Sequence, residues 1–240
     1  MATKFSLHAL AVGLLALATG ACSAASDTSL FQGLSAMAEQ GSAPAQYNLG
    51  MLYNNGIGTT QDTHRAFEWF EKAAAAGDPL ASYKVGCYYA GQFSGVVPVD
   101  HDKALAAKLV AAKAGYFRAQ YEVGNAYGST GEFQEAIKWW SAAAAQGDIG
   151  SLVSLSEAYR KGFGVQKDSG KALELMLIVG RLVQKDQRDA ARAAIDALKK
   201  EVTPEGVAKA ERAAAAWIPK LTELTIRANL GIREAQQLVR

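Results

Sequence analysis

The chain has 240 residues, half of them apolar, enough to bury a substantial core. Its 25 basic and 23 acidic residues leave a net charge of +2 with no long run of one sign, which excludes the basic stripe a nucleic-acid binder carries. Five prolines and many alanines suit an all-helical chain.

The first stretch reads as an export signal. Lys4 supplies a positive start, and Leu7 to Ala18 is an apolar run broken only by His8. As a helix that run spans only about 18 Å, too short for a bilayer core, so residues 1–21 are expected to be a signal peptide. Thr19-Gly20-Ala21-Cys22 resembles a relaxed bacterial lipobox, with Thr19 where leucine is usual. Two outcomes follow. Cys22 becomes a lipidated N-terminus that anchors the protein to a membrane from the periplasm, or cleavage near Ser23-Ala24-Ala25 releases a soluble periplasmic protein. Residues 22–29 then form a polar tether. Cys87 is alone in the mature domain, so no internal disulfide forms there.

Residues 30–41 read as the second half of a hairpin, a helix that caps the array to come. The stretch Ala45-Gln46-Tyr47-Asn48-Leu49-Gly50 recurs as Ala81-Ser82-Tyr83-Lys84-Val85-Gly86 and Ala119-Gln120-Tyr121-Glu122-Val123-Gly124. A degenerate fourth copy begins at Ser151. The starts lie 36, 38 and 32 residues apart, a period that means stacked helical hairpins over residues 42–183. Gly41, Gly77, Gly115 and Gly147 end the second helices, where glycine reaches the left-handed conformation. Asp62 and Asp100 are placed to cap second helices. Trp69-Phe70 and Trp139-Trp140 supply aromatic bulk, whereas Ala107-Lys108 predicts a lighter second helix in the second repeat. From residue 184 to 240 the period is lost. Helices over 186–200 and 204–217, the latter with Thr203 as cap and Pro204 in its first turn, and short amphipathic pieces from Leu221 onward are expected to form a C-terminal helical cap that seals the array; the alternative is a free part that meets a partner.

Ala-Gln-Tyr-x-Leu-Gly-x-x-Tyr-x-x-Gly-x-Gly, then an aspartate, an alanine, a paired aromatic and Ala-Ala-x-x-Gly, resembles the Sel-like repeat, a relative of the tetratricopeptide repeat with a longer hairpin loop. The resemblance covers about Ser42 to Val183. It implies an all-α, right-handed solenoid of stacked helix–turn–helix repeats, without enzymatic activity or cofactor, that presents a concave face to a protein partner. Exported bacterial members are adaptors or regulators, and some are immunity proteins that neutralise secreted effectors such as phospholipases.

Chemistry is sparse. No Gly-x-Ser-x-Gly, His-Glu-x-x-His or Walker loop is present. His64 and His101 follow cap aspartates, and the three adjacent residues Asp100-His101-Asp102 cannot all face one metal ion on a helix. Contact candidates lie on each first helix. Taking Ala45 as 0° and about 100° per residue, Leu49 falls at about 40° and Leu52 at about −20°, the core side. Tyr47, Met51 and Asn54 fall at about 200°, 240° and 180°. With their equivalents Tyr83 and Cys87, Tyr121 and Asn125, and Glu157 and Arg160 they make a second stripe. The tyrosines either line a binding groove or pack between repeats. Asn54, Asn125, Glu157 and Arg160 are expected to be exposed, because polar groups are costly to bury unpaired. The leading expectation is a protein-binding scaffold in the bacterial envelope. Its rivals are an assembly factor acting through self-association and a hydrolase with an unrecognised site.

Overall fold

The computed structural model describes residues 26–239, and among them no strand forms. The expected signal peptide and Cys22 lie outside the described residues. The capping helix, α1, occupies 26–39 and so takes in part of the expected tether. Leu30, Leu34 and Ala38 recur every four residues along it and bury against Ala45, Leu49 and Leu52.

Four hairpins follow. They pair α2 (Ala43–Asn55) with α3 (Thr63–Ala75), α4 (Pro79–Tyr89) with α5 (His101–Lys113), α6 (Phe117–Ser129) with α7 (Phe133–Ala145), and α8 (Ile149–Lys161) with α9 (Ser169–Leu182). Asp62, Asp100 and Asp168 cap the second helices, each accepting the N–H three residues on. Gly41, Gly77, Gly115 and Gly147 all have φ of 90–97° and turn the chain into the next element.

One contact holds each hairpin closed. A Cβ on Gly50 would stand 2.7 Å from the Phe70 ring, and one on Gly124 2.5 Å from Trp140, so only glycine lets the aromatic lie against the first helix. The second repeat keeps the device with a different residue. Lys108 lays its aliphatic stem over Gly86, where a Cβ would stand 2.7 Å away, and carries its ammonium on to Glu122 at 2.7 Å. The lighter packing expected of α5 is therefore offset by a lysine stem. In the fourth repeat Ser156 replaces the glycine and donates to the Ala172 carbonyl at 2.9 Å, while Met176 fills the aromatic position.

Beyond α9 a short 3-10 turn leads into α10 (Arg188–Lys199) and α11 (Pro204–Ala216), both packed on α9. Thr203 caps α11 through the Gly206 N–H. Ala191, Leu198, Ala210 and Ala214 close the core of the fourth hairpin. The C-terminal cap expected over 184–240 is confined to these two helices. Residues 218–239, here the tail, turn back. Their helices α12 (Glu223–Leu230) and α13 (Ile232–Leu238) run the length of the array to α1, where Val239 meets Gly33. Three apolar clusters divide the array, and the C-terminal chain touches each in turn: Trp217 in the last, Leu224 and Ala228 in the middle one, Leu238 and Ala235 in the first.

Candidate functional site

The tail is held where one hairpin meets the next. The first helices α4 and α8 are capped by Asp78 and Asp148, which accept from Ala81 and Ser151. At the same position α6 has Tyr116, which makes no side-chain cap. The first N–H groups of a helix need a partner from outside it. Thr225 of the tail supplies one: its hydroxyl oxygen accepts the Phe117 N–H at 3.3 Å.

Around Thr225 lies a closed polar node. Gln146, at the end of α7, donates to the Gly115 carbonyl and to Gln120 Oε1, both at 2.9 Å. Its own oxygen accepts from the Thr225 hydroxyl at 2.7 Å and from the Thr222 N–H at 3.2 Å. Thr222 donates its hydroxyl to Gly115 at 2.9 Å and caps α12 through the Thr225 N–H. Thr225 is completely buried, and Gln146 and Gln120 nearly so. Buried polar groups persist only when paired, and this node pairs its members.

Two residues further on, Arg227 sits between two carboxylates. Its guanidinium donates to Asp78 Oδ2 at 2.6 Å and Glu234 Oε1 at 2.5 Å and lies over the Tyr47 ring, 5.4 Å from its centre. Burial opposes the arginine's charge, but the bonds to Glu234 and Asp78 outweigh it and hold the pKa above its ordinary value. Asp78 thus serves two helices, capping α4 with one oxygen and holding α12 with the other.

The expected stripe is placed unevenly. Tyr47 is buried under Arg227, and Met51 lines a cavity of about 80 Å³ between α2 and the tail. Asn54 was expected to be exposed; it is buried, and it pairs by accepting the Tyr88 hydroxyl at 3.1 Å and donating to Asn55. Cys87 is buried as well. In this state Tyr47, Asn54 and Cys87 offer a partner no surface, because the tail and the neighbouring helices cover them. Tyr83 is half-buried and donates to Glu122 at 2.7 Å, and its ring meets Tyr116 edge-on. Tyr121 lies against Gly150 of the next repeat. Half-buried Asn125 accepts the Trp140 N–H at 2.9 Å. Glu157 and Arg160 form a bidentate pair at 2.9 Å, joined by Lys161, at the partly open end of the stripe.

The electrostatics suit packing and recognition. Burial raises the pKa of Tyr47, Tyr83 and Cys87, which keeps two phenols and a thiol protonated. Bonds from Arg160 and then Lys161 bring Glu157 down to about 2. Among the described residues no group of three His, Cys, Asp or Glu is arranged to hold a metal ion, and no helix is long and apolar enough to cross a membrane.

Sequence reading missed Gln146, Thr222, Thr225, Arg227 and the second role of Asp78. One local sign marked the place: Tyr116 occupies the capping position that Asp78 and Asp148 fill in the neighbouring repeats.

A family model, the Sel1 repeat, matches residues 43–78, 79–106, 117–148 and 151–178, over half of the chain. A sel1-like repeat-containing protein of Acanthamoeba polyphaga mimivirus is 31% identical over 126 residues, which cover 52% of this chain and 22% of that protein. The DAP3-binding cell death enhancer 1 of Rattus norvegicus is 28% identical over 149 residues, 61% of this chain and 29% of that protein. The chain thus spans less than a third of either relative. Among solved structures, a protective antigen of uropathogenic Escherichia coli with an SLR fold is 29% identical. It aligns at a TM-score of 0.62 over 80% of this chain and 41% of that one. A Sel1 repeat protein from Oxalobacter formigenes, 21% identical, has the same fold at a TM-score of 0.61 over 75% and 76% of the two chains.

Proposed function

The chain belongs to the Sel1 repeat family, and from that footing we propose that it is an exported envelope scaffold that binds a protein partner on the face its first helices share. Members of this family are generally non-catalytic protein-interaction scaffolds, and the DAP3-binding relative carries a partner in its name. The observation that carries the reading is the seated tail. The face already accepts a helix, through buried polar groups and the Tyr47 ring, so it is built for helical protein ligands. The specific form we favour is neutralisation of a secreted effector such as a phospholipase, with the scaffold held at a membrane facing the periplasm through Cys22.

Both parts have direct tests. Glu157→Arg with Arg160→Glu keeps the attraction between the pair and reverses its pattern toward a partner. Capture of the partner from envelope extract is expected to fall at least tenfold with helical content unchanged; capture at the wild-type level removes this face from the reading. Addition of the purified chain to a secreted phospholipase at equal molar ratio should stop lipid hydrolysis, and continued hydrolysis removes the effector form. Cys22→Ser should move the protein from the membrane to the soluble periplasmic fraction.

A second reading has its own observation. Ile218, Leu221, Ile226 and Ile232 of the tail are exposed, an apolar outer surface suited to self-association. Light scattering that finds a monomer at all concentrations eliminates it.

A further inference from the structure

We propose that the tail is a resident ligand: it occupies a receptor site for a short helix, and the partner gains that site by displacing it. The site and its chemistry can be read from the occupant. Gln146 and the Gly115 carbonyl require two hydroxyls three residues apart, as Thr222 and Thr225 provide. The uncapped Phe117 N–H requires an oxygen at the second of them. Asp78 and Tyr47 require a guanidinium two residues later, as Arg227 provides. The matching partner helix carries Ser/Thr-x-x-Ser/Thr-x-Arg. The inference rests on the reading of this face as a protein-binding surface and gives that partner its chemistry.

Three features make the occupant separable. Helices of eight and seven residues do not persist alone in water, so the tail is ordered only by the site. Its inward side chains mix small ones, Thr225, Ala228 and Ala235, with Leu224 and Leu238, while Leu221 and Ile226 face solvent. Beside the apolar contacts of Leu224 and Leu238, the hold that selects this segment comes from the polar node and the arginine. The link to α11 is extended around Pro219, with the Lys220 N–H bonded to Ala145 at 2.8 Å. The hairpins close on their own glycine contacts and need nothing from the tail to do so.

A fluorescent peptide of residues 222–239 added to the 240-residue chain tests this. In Thr225→Val with Arg227→Glu the tail should leave the site, seen as rapid hydrogen exchange over 222–239 with the hairpins still protected. The peptide is expected to bind that variant at least tenfold more tightly than wild type, where the resident tail occupies the site. Adding Gln146→Leu to the variant, or the two substitutions to the peptide, should abolish binding. If the double variant loses helical protection, Arg227→Ala alone serves in its place. Equal affinity for wild type and the released form overturns the gate. No binding to a form whose tail exchanges freely overturns the receptor site. Either failure beside continued partner capture sinks this inference and spares the binding reading. Peptide binding to the released form without any capture of a protein partner sinks the reading alone.

Discussion

Phe70 and Thr225 are both completely buried, and they stand for two ways of holding a helix. Phe70 belongs to the array. It lies twenty residues from its partner Gly50, within one hairpin, and its contact is apolar and shape-dependent. Thr225 belongs to the tail. It meets Phe117 and Gln146 across a span of 79 residues or more, and its contacts are hydrogen bonds to groups that would otherwise be buried unpaired. The first kind fixes the repeat whatever the rest of the chain does. The second is conditional, because any ligand with the same atoms in the same places would serve.

Cutting into the array should do the most damage. Phe70→Ala opens a cavity beneath Gly50 in a fully buried site and is expected to cost roughly 4 kcal/mol, measured by urea unfolding followed by circular dichroism. Each hairpin packs on the next along the array, so the loss should appear in a single cooperative transition. A loss below about 1 kcal/mol would mean that the glycine contact does not hold the hairpin.

The polar node should respond differently. Gln146→Leu keeps the volume but leaves Gln120 Oε1 without its donor and takes from the Thr225 hydroxyl its 2.7 Å acceptor, an expected cost of about 2 kcal/mol. Arg227→Ala removes the ion held between Asp78 and Glu234 and has a similar initial effect. Neither cost can grow indefinitely, because once the tail lifts, Asp78 and Thr225 return to water. The two substitutions together should therefore cost less than their sum, and both should raise exchange over 222–239 before the hairpins. Additive losses in the global transition would place the tail inside the array's cooperative unit and end the distinction.

The array was legible in the sequence for the same reason that it is robust. Its signals are local: a 3.6-residue apolar period, Asp62 and Asp100 before their helices, and Gly77 and Gly115 after them. Lys108 was misread because residue type hid its geometry, since a lysine stem is as long and apolar as the space over Gly86 requires. Asn54 was placed outside on its polarity alone, yet Tyr88 pairs it within the core. The tail could not be read as a docked element. Leu224 and Ala228 face inward while Ile226 faces out, so α12 shows no clear apolar side to orient it. Arg227 finds Asp78 across 149 residues, a pairing no local pattern reports.

The smallest expected effect lies outside both kinds of contact and gives a baseline for them. Glu157 is held at about 2, below its ordinary value of 4.5, by Arg160 and Lys161. A carboxylate depressed on folding adds stability above its unfolded pKa and loses it as the pH falls through the folded one. Its contribution is therefore complete above about pH 5 and gone by about pH 2. The side chain is 43% exposed, so solvent screening holds the gain to about 0.5 kcal/mol. Glu157→Gln should lower the melting temperature by a degree or so at pH 7 and by nothing at pH 2. The pair belongs to the open end of the stripe, far in sequence from Asp78 and Tyr47, and exchange over 222–239 should not change in this variant. Should the tail loosen in Glu157→Gln, the surface pair would be coupled to the site, and the separation between a self-sufficient array and a conditionally held tail would fail at its most exposed point.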